Sequence, residues 1–204
     1  MNWIAQGLFV KVCGLGTHAD VQVATEAGAD AVGFVWYAPS PRHLELDDIR
    51  ELAAHATVPT VLVTAGIDSA TLLAAASKTG VDAVQPHGVA AAVSVAAARR
   101  VGLGVIHPVS AGDDIEAMRG DDLLLVDSPD PEMVGGRGEV FDWDVAADIE
   151  RPFLLAGGLT PANVAEAVER VRPFGVDASS GLESSPGVKG VDLIRRFVEE
   201  AKQA

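Results

Sequence analysis

Eight short runs rich in β-branched residues, each followed by an Ala-rich stretch of helical period, predict an α/β fold of the (β/α)8 type, a TIM barrel. The units recur at roughly 25 residues over a chain of 204. No linker or composition shift interrupts them, so residues 1–204 read as a single barrel domain. The phrases GADAVGF, VDAVQP and FGVDAS open three of the runs alike: Gly or Asp, then alternating small and branched residues.

The elements follow in order. LFVKVCG (8–14) ends in a cysteine and a glycine and gives way to a helix over 19–28, with Thr17 as N-cap. ADAVGFV (29–35) leads through the proline-stiffened loop APSPRHL (38–44) to a helix over 47–56. PTVLVTA (59–65) precedes a helix over 68–79 signalled by Asp68, and VDAVQPHG (81–88) one over 89–100. LGVIHPV (103–109) pairs with a helix over 113–119, and DLLLVDS (122–128) with one over 142–149. PFLLAGG (152–158) feeds a helix over 161–171, with Thr160 as the cap and Pro161 at the first position. GVDASSG (175–181) and a helix over 191–203 complete the series. This length is near the lower limit for such a barrel, so loops must be short. The one long connection, 128–140, is rich in Pro and Gly, and a loop of that length is often functional.

Composition bounds the function. The chain is 49% hydrophobic and 22% charged, enough apolar material for a sizeable core. No run approaches the roughly 20 apolar residues of a membrane span, and the N-terminus lacks the pattern of a signal peptide. A single cysteine makes no internal disulfide and suits a reducing cytoplasm. The net charge of −14 opposes nucleic-acid and anionic-membrane partners. The acid is spread in short clusters, as on a solvated face. So strong an excess would destabilise a compact fold at low ionic strength, which fits adaptation to high salt.

Barrels of this kind place their chemistry at the C-terminal ends of the strands. The residues there are Cys13, Arg42, His87, His107, Asp127, Gly157, Gly158, Ser179, Ser180 and Gly181. AGGL (156–159) and SSG (179–181) close the seventh and eighth runs, where the fold commonly holds phosphate on backbone N–H groups. Tight turns would use the same residues, but two adjacent loops at the expected strands favour an anion. Cys13 alone reads as a small buried hydrophobe and Asp127 alone as a turn carboxylate. Together, at the ends of the first and sixth strands, they face one mouth. There a thiolate and a carboxylic acid would make a general acid–base pair. Arg42 offers a planar fork for a carboxylate or phosphate, or a surface charge in a rigid turn. No H-x-x-x-H or C-x-x-C spacing appears, so no metal is expected, and GGRG (135–138) lacks the spacing of a dinucleotide loop.

Taken together, VKVCGLGTHAD, EAGADAVGFVWYAPSPRHL, VQPHG, LLLVDSP, GGRGEVFDW, FLLAGGLTPANVAEAV and FGVDASSGLESSPGVKG span nearly the whole chain. In this order they resemble phosphoribosylanthranilate isomerase, the tryptophan-pathway enzyme. The resemblance implies a cytoplasmic, cofactor-free (β/α)8 barrel. Its reaction would be the Amadori rearrangement of N-(5-phosphoribosyl)anthranilate to 1-(2-carboxyphenylamino)-1-deoxyribulose 5-phosphate. By the same resemblance Cys13 is the general base and Asp127 the general acid. Arg42 lies near the anthranilate carboxylate, and the glycines and serines after the last two strands hold the phosphate. His87 falls in a matching segment and is taken as a substrate-binding residue. Departures are QPHG, where Pro86 replaces a residue with an N–H, GGRG, where Arg137 replaces a threonine, and a fifth strand that assigns no role to His107. Another sugar-phosphate isomerase on the same barrel would need its own set, Lys with Glu or paired Asp. No lysine ends a predicted strand, although Lys11 shares the parity of Cys13. A phosphate-ligand binding barrel without catalysis is the remaining alternative. The sequence leaves monomer and homodimer both open.

Overall fold

A computed structural model of the chain describes residues 7–110, 113, 115, 122–127 and 143–204. Eight parallel strands close into a barrel in chain order. They are β1 (Phe9–Cys13), β2 (Ala31–Trp36), β3 (Thr60–Ala65), β4 (Ala83–His87), β5 (Gly104–Ser110), β6 (Leu123–Asp127), β7 (Phe153–Leu155) and β8 (Gly175–Ala178). Closure joins β8 back to β1, with Lys11 opposite Asp177 in the register. Among the described residues six helices lie outside: α1 (His18–Ala27), α2 (Leu46–His55), α3 (Ser69–Thr79), α4 (Ala91–Arg100), α5 (Val164–Val171) and α6 (Val191–Gln203). None of these is long and apolar enough to cross a membrane.

Strand alternation splits the core in two. Val10, Val12, Val32, Phe34 and Leu62 face outward and pack with Ile49, Leu72 and Phe197 of the helices. Phe9, Cys13, Ala31, Val61, Ala83, Leu123, Leu125 and Leu154 face inward and fill the barrel. Lys11, between Phe9 and Cys13 on the inward parity, is fully buried among them.

Local chemistry sets the helix starts. The Thr17 side chain accepts from the Asp20 N–H, and the Asp20 carboxylate accepts from the Thr17 N–H, a reciprocal capping box. Replacing Thr17 by Ala removes half of it and is expected to cost about 1 kcal/mol. Thermal unfolding followed by circular dichroism should show a midpoint roughly 2–4 °C lower. Asp68 caps α3 by accepting from the Ala70 and Thr71 N–H groups.

Three departures from the predicted secondary structure bear on the site. First, the helix expected from 161 starts at Val164, with Asn163 as the cap position. Asn163 Oδ1 accepts from the Thr160 N–H and Thr160 Oγ1 from the Ala162 N–H, so Thr160 and Pro161 open a turn rather than the helix. Second, the expected 142–149 helix contains a 3-10 turn over Trp143–Ala146. Third, an unforeseen antiparallel hairpin, β9 (Glu183–Ser185) and β10 (Val188–Lys189), sits between β8 and α6. Its strands are too short to show a period in sequence. The helix expected over 113–119, apart from residues 113 and 115, and the connection 128–140 with Arg137 lie outside the described residues.

Candidate active site

The mouth of the barrel is built around the end of β1. Cys13 is the last residue of that strand and is 5% exposed. Across the ladder it is registered with Gly33 of β2. A Cβ on Gly33 would lie 2.9 Å from Cys13 Sγ and 3.4 Å from Lys11 Cε. Only hydrogen at that position leaves room for the sulfur and the lysine stem to occupy the same face. Burial pushes the Cys13 thiol up; the Lys11 ammonium works against this, Asp177 adds to it, and Lys189 opposes it.

Beneath the sulfur, Lys11 Nζ donates to Asp177 Oδ1 at 2.9 Å, and both side chains are nearly or wholly buried. Burial alone would lower the Lys11 pKa. The charges of Asp177 and Cys13 outweigh it and hold the ammonium above the ordinary lysine value. Lys11 therefore stays a cation inside the barrel. Deeper round the wall, Gln85 and His87 share the inward parity of β4, and their amide and ring nitrogens meet at 2.9 Å. Burial, and then the Lys11 charge, bring His87 down to about 4. The neutral ring can accept the Gln85 amide N–H at Nε2.

A second cluster rims the mouth. Gly14 follows Cys13 at φ 72°, and a Cβ there would come within 2.6 Å of Arg42 Cδ and 2.8 Å of Ser179 Oγ. The Arg42 side chain thus crosses the chain end of β1 to reach Glu183 of β9. Its Nε and Nη2 donate to the two oxygens of Glu183 at 2.5 and 2.9 Å, a bidentate fork. Lys189 Nζ donates to Glu183 Oε1 at 3.0 Å and to the Ser179 carbonyl at 2.8 Å. Burial would raise the Glu183 pKa, but the Arg42 hydrogen bonds and the Lys189 charge hold it below the usual carboxylate value. Burial draws Lys189 down, against Glu183. The cluster carries two cations for one anion beside Ser179.

The two glycine loops adjoin. Gly157 and Gly158 follow β7 at φ 86° and 69°, and the Asn163 amide donates to the Gly158 carbonyl at 3.0 Å. Gly181, in the 3-10 turn Ser180–Leu182 after β8, lies so close to Leu159 that a Cβ would strike its carbonyl oxygen. Asp127 ends β6 opposite Ser110 of β5 and is half-buried. It follows Leu123 and Leu125 on the inward parity. His107 lies on the other parity, next to inward Ile106, and feels the charges of Asp122, Arg99 and Arg151 on the outer side. It belongs to the outer layer and not to the mouth.

Residues 10–200 match the sequence model of the N-(5'-phosphoribosyl)anthranilate isomerase family. The chain belongs to the N-(5'-phosphoribosyl)anthranilate isomerase family. It is an isomerase of tryptophan biosynthesis. It is 43% identical to the N-(5'-phosphoribosyl)anthranilate isomerase of Haloferax volcanii over 209 residues, covering 96% of this chain and 93% of that one. The phosphoribosyl anthranilate isomerase structure from Thermotoga maritima superposes with a TM-score of 0.83 at 35% identity, covering 97% of this chain and 100% of that one. A phosphoribosyl anthranilate isomerase in complex with reduced 1-(O-carboxyphenylamino)-1-deoxyribulose 5-phosphate matches with a TM-score of 0.79 at 33% identity, with the same coverage.

Five members of the site escaped the sequence reading as site residues: Lys11, Gln85, Asp177, Glu183 and Lys189. Asp177 had a signal, since VDAS puts an acid on the inward parity of a strand that otherwise buries small apolar groups. Glu183 and Lys189 had only their place in the segment FGVDASSGLESSPGVKG, because their meeting depends on the hairpin.

Proposed function

We propose that the chain converts N-(5-phosphoribosyl)anthranilate to 1-(2-carboxyphenylamino)-1-deoxyribulose 5-phosphate, with Cys13 as general base and Asp127 as general acid. The observation that carries this reading is the inward-facing sulfur of Cys13 at the mouth, above the buried Lys11 cation and on the same interior parity as Asp127. Family membership and the ligand named with the matched complex support the substrate class.

The Asp127 carboxyl gives its proton to the ribose ring oxygen as the C1′–O bond breaks, and the anilino nitrogen's lone pair forms the iminium. The Cys13 thiolate takes the proton from C2′, which the adjacent iminium has made acidic. The resulting enolamine tautomerises to the ketone, so atoms and electrons are conserved within one molecule. Gly157, Gly158, Ser179, Ser180 and Gly181 hold the phosphate on the adjoining loops, with Lys189 close behind Ser179. The other end of the substrate carries a carboxylate. Arg42 commits its Nε and Nη2 to Glu183, so its Nη1 edge meets that group. His87, kept neutral, is a hydrogen-bonding wall residue rather than a second acid. Gripping both ends orients C2′ between acid and base.

Mixing purified protein with N-(5-phosphoribosyl)anthranilate tests the proposal. Protein-dependent loss of the anthranilate-type fluorescence, with one ketose product, is expected. No loss of signal while the substrate still binds would overturn it in favour of a binding barrel. Turnover of a different phosphosugar alone would favour another isomerase.

A further inference from the structure

The buried pair beneath the sulfur has no part in the proposed proton transfers, yet an ion pair inside a barrel needs a reason. Replacing such a pair with apolar residues is often neutral or stabilising. Lys11 and Asp177 are 0% and 7% exposed, so solvent screens them little. Through the glycine at position 33, the Lys11 stem and the sulfur share one small space. The thiolate that abstracts a proton is an anion in a nearly closed interior, where an unpaired charge is costly.

We propose that Lys11 and Asp177 are positioning residues for proton abstraction: the Lys11 ammonium, held beneath the sulfur by Asp177, is the counter-charge of the Cys13 thiolate. The inference rests on the reading of Cys13 as the base. Asp177 has a double action. It keeps Lys11 protonated in an interior that would otherwise strip its proton, and it opposes the thiolate by its own charge. The nearer Lys11 outweighs it at the sulfur. Among the described residues, other charges facing Cys13 are few. β2 contributes no titratable side chain, only Gly33. The hairpin presents Lys189, tied to Glu183, and the loop after β2 presents Arg42 across Gly14. His87 of β4 is neutral, and Asp127 ends β6 on the inward parity. Of the cations, Lys11 is the one seated on the sulfur's own strand and face.

The test replaces the pair as a unit, K11M/D177N, so that no lone charge remains buried. Cys13 is the only cysteine. Thiolate absorbance against pH, with C13S subtracted, therefore reads one group in the ligand-free protein. The midpoint is expected to rise by at least about one pH unit, a roughly tenfold loss of thiolate at fixed pH below it. The acid limb of the turnover profile should rise by the same amount, so that activity returns as pH is raised. A structural role alone would lower turnover at every pH and leave the limb in place. A midpoint unmoved or lowered overturns the inference. A raised midpoint with an unmoved limb also overturns it, by showing that the thiolate does not govern the rate. Should K11M/D177N fail to fold by circular dichroism, K11M/D177L, with a fully apolar replacement, carries the same readings. Failure of the base reading itself is seen separately, as turnover surviving in C13S.

Discussion

Cys13→Ser is expected to lose about 10²–10⁴ in kcat while KM stays close to that of the parent. The hydroxyl is a far weaker acid than a thiol, so no anion forms there near neutrality, even above Lys11. Serine differs from cysteine by one smaller atom and keeps the close approach to Gly33. Binding should survive because both proposed grips, at the phosphate loops and at Arg42, are untouched. Initial rates of fluorescence loss, with binding of product followed separately, check both halves. Near-parental turnover would remove Cys13 from the reaction.

The second large effect is on stability. Lys11→Met leaves Asp177 buried without its partner, and breaking a buried pair in this way costs about 3–5 kcal/mol. K11M/D177N should be clearly more stable than K11M alone, an inversion of additivity that reports direct coupling. Urea unfolding of the three proteins, at equal m, measures it; a double variant less stable than K11M would contradict it. The sign with pH follows from the same contacts. Lys11 holds its proton more tightly in the fold than in the unfolded chain, so its contribution is full below the ordinary lysine value and is lost as pH rises through the folded value. The folded Cys13 thiol is also the weaker acid, and the unfolded chain releases that proton first. Both groups weaken the fold towards alkaline pH.

Much of this was legible because a barrel strand announces itself locally. FVKVC, AVGFVW and TVLVTA combine branched residues with sharp ends, and the strands form there. The placement of Cys13, Asp127 and the two glycine loops at strand ends was legible because the fold dictates where strand ends meet. PFLLAGG reads as seven strand residues and yields three, since Gly157 and Gly158 turn to positive φ and leave the ladder. The Lys11–Asp177 pair was not legible, because its members lie 166 positions apart and only closure of β8 on β1 registers them. Arg42 was read as a fork for a carboxylate or phosphate, and two of its nitrogens grip the chain's own Glu183, from a hairpin too short to leave a periodic trace.

That hairpin ties the last repeat to the second. Glu183 grips Arg42, and Gly187 packs against the carbonyl of Pro41. A fragment ending at Ala178 would own every strand of the barrel and still leave the guanidinium unclasped. The walls can therefore close without the clasp on Arg42. If Arg42 meets the substrate carboxylate as proposed, its guanidinium is steered only once residues 183–189 are in place, which makes the hairpin the latch on a loop translated long before it.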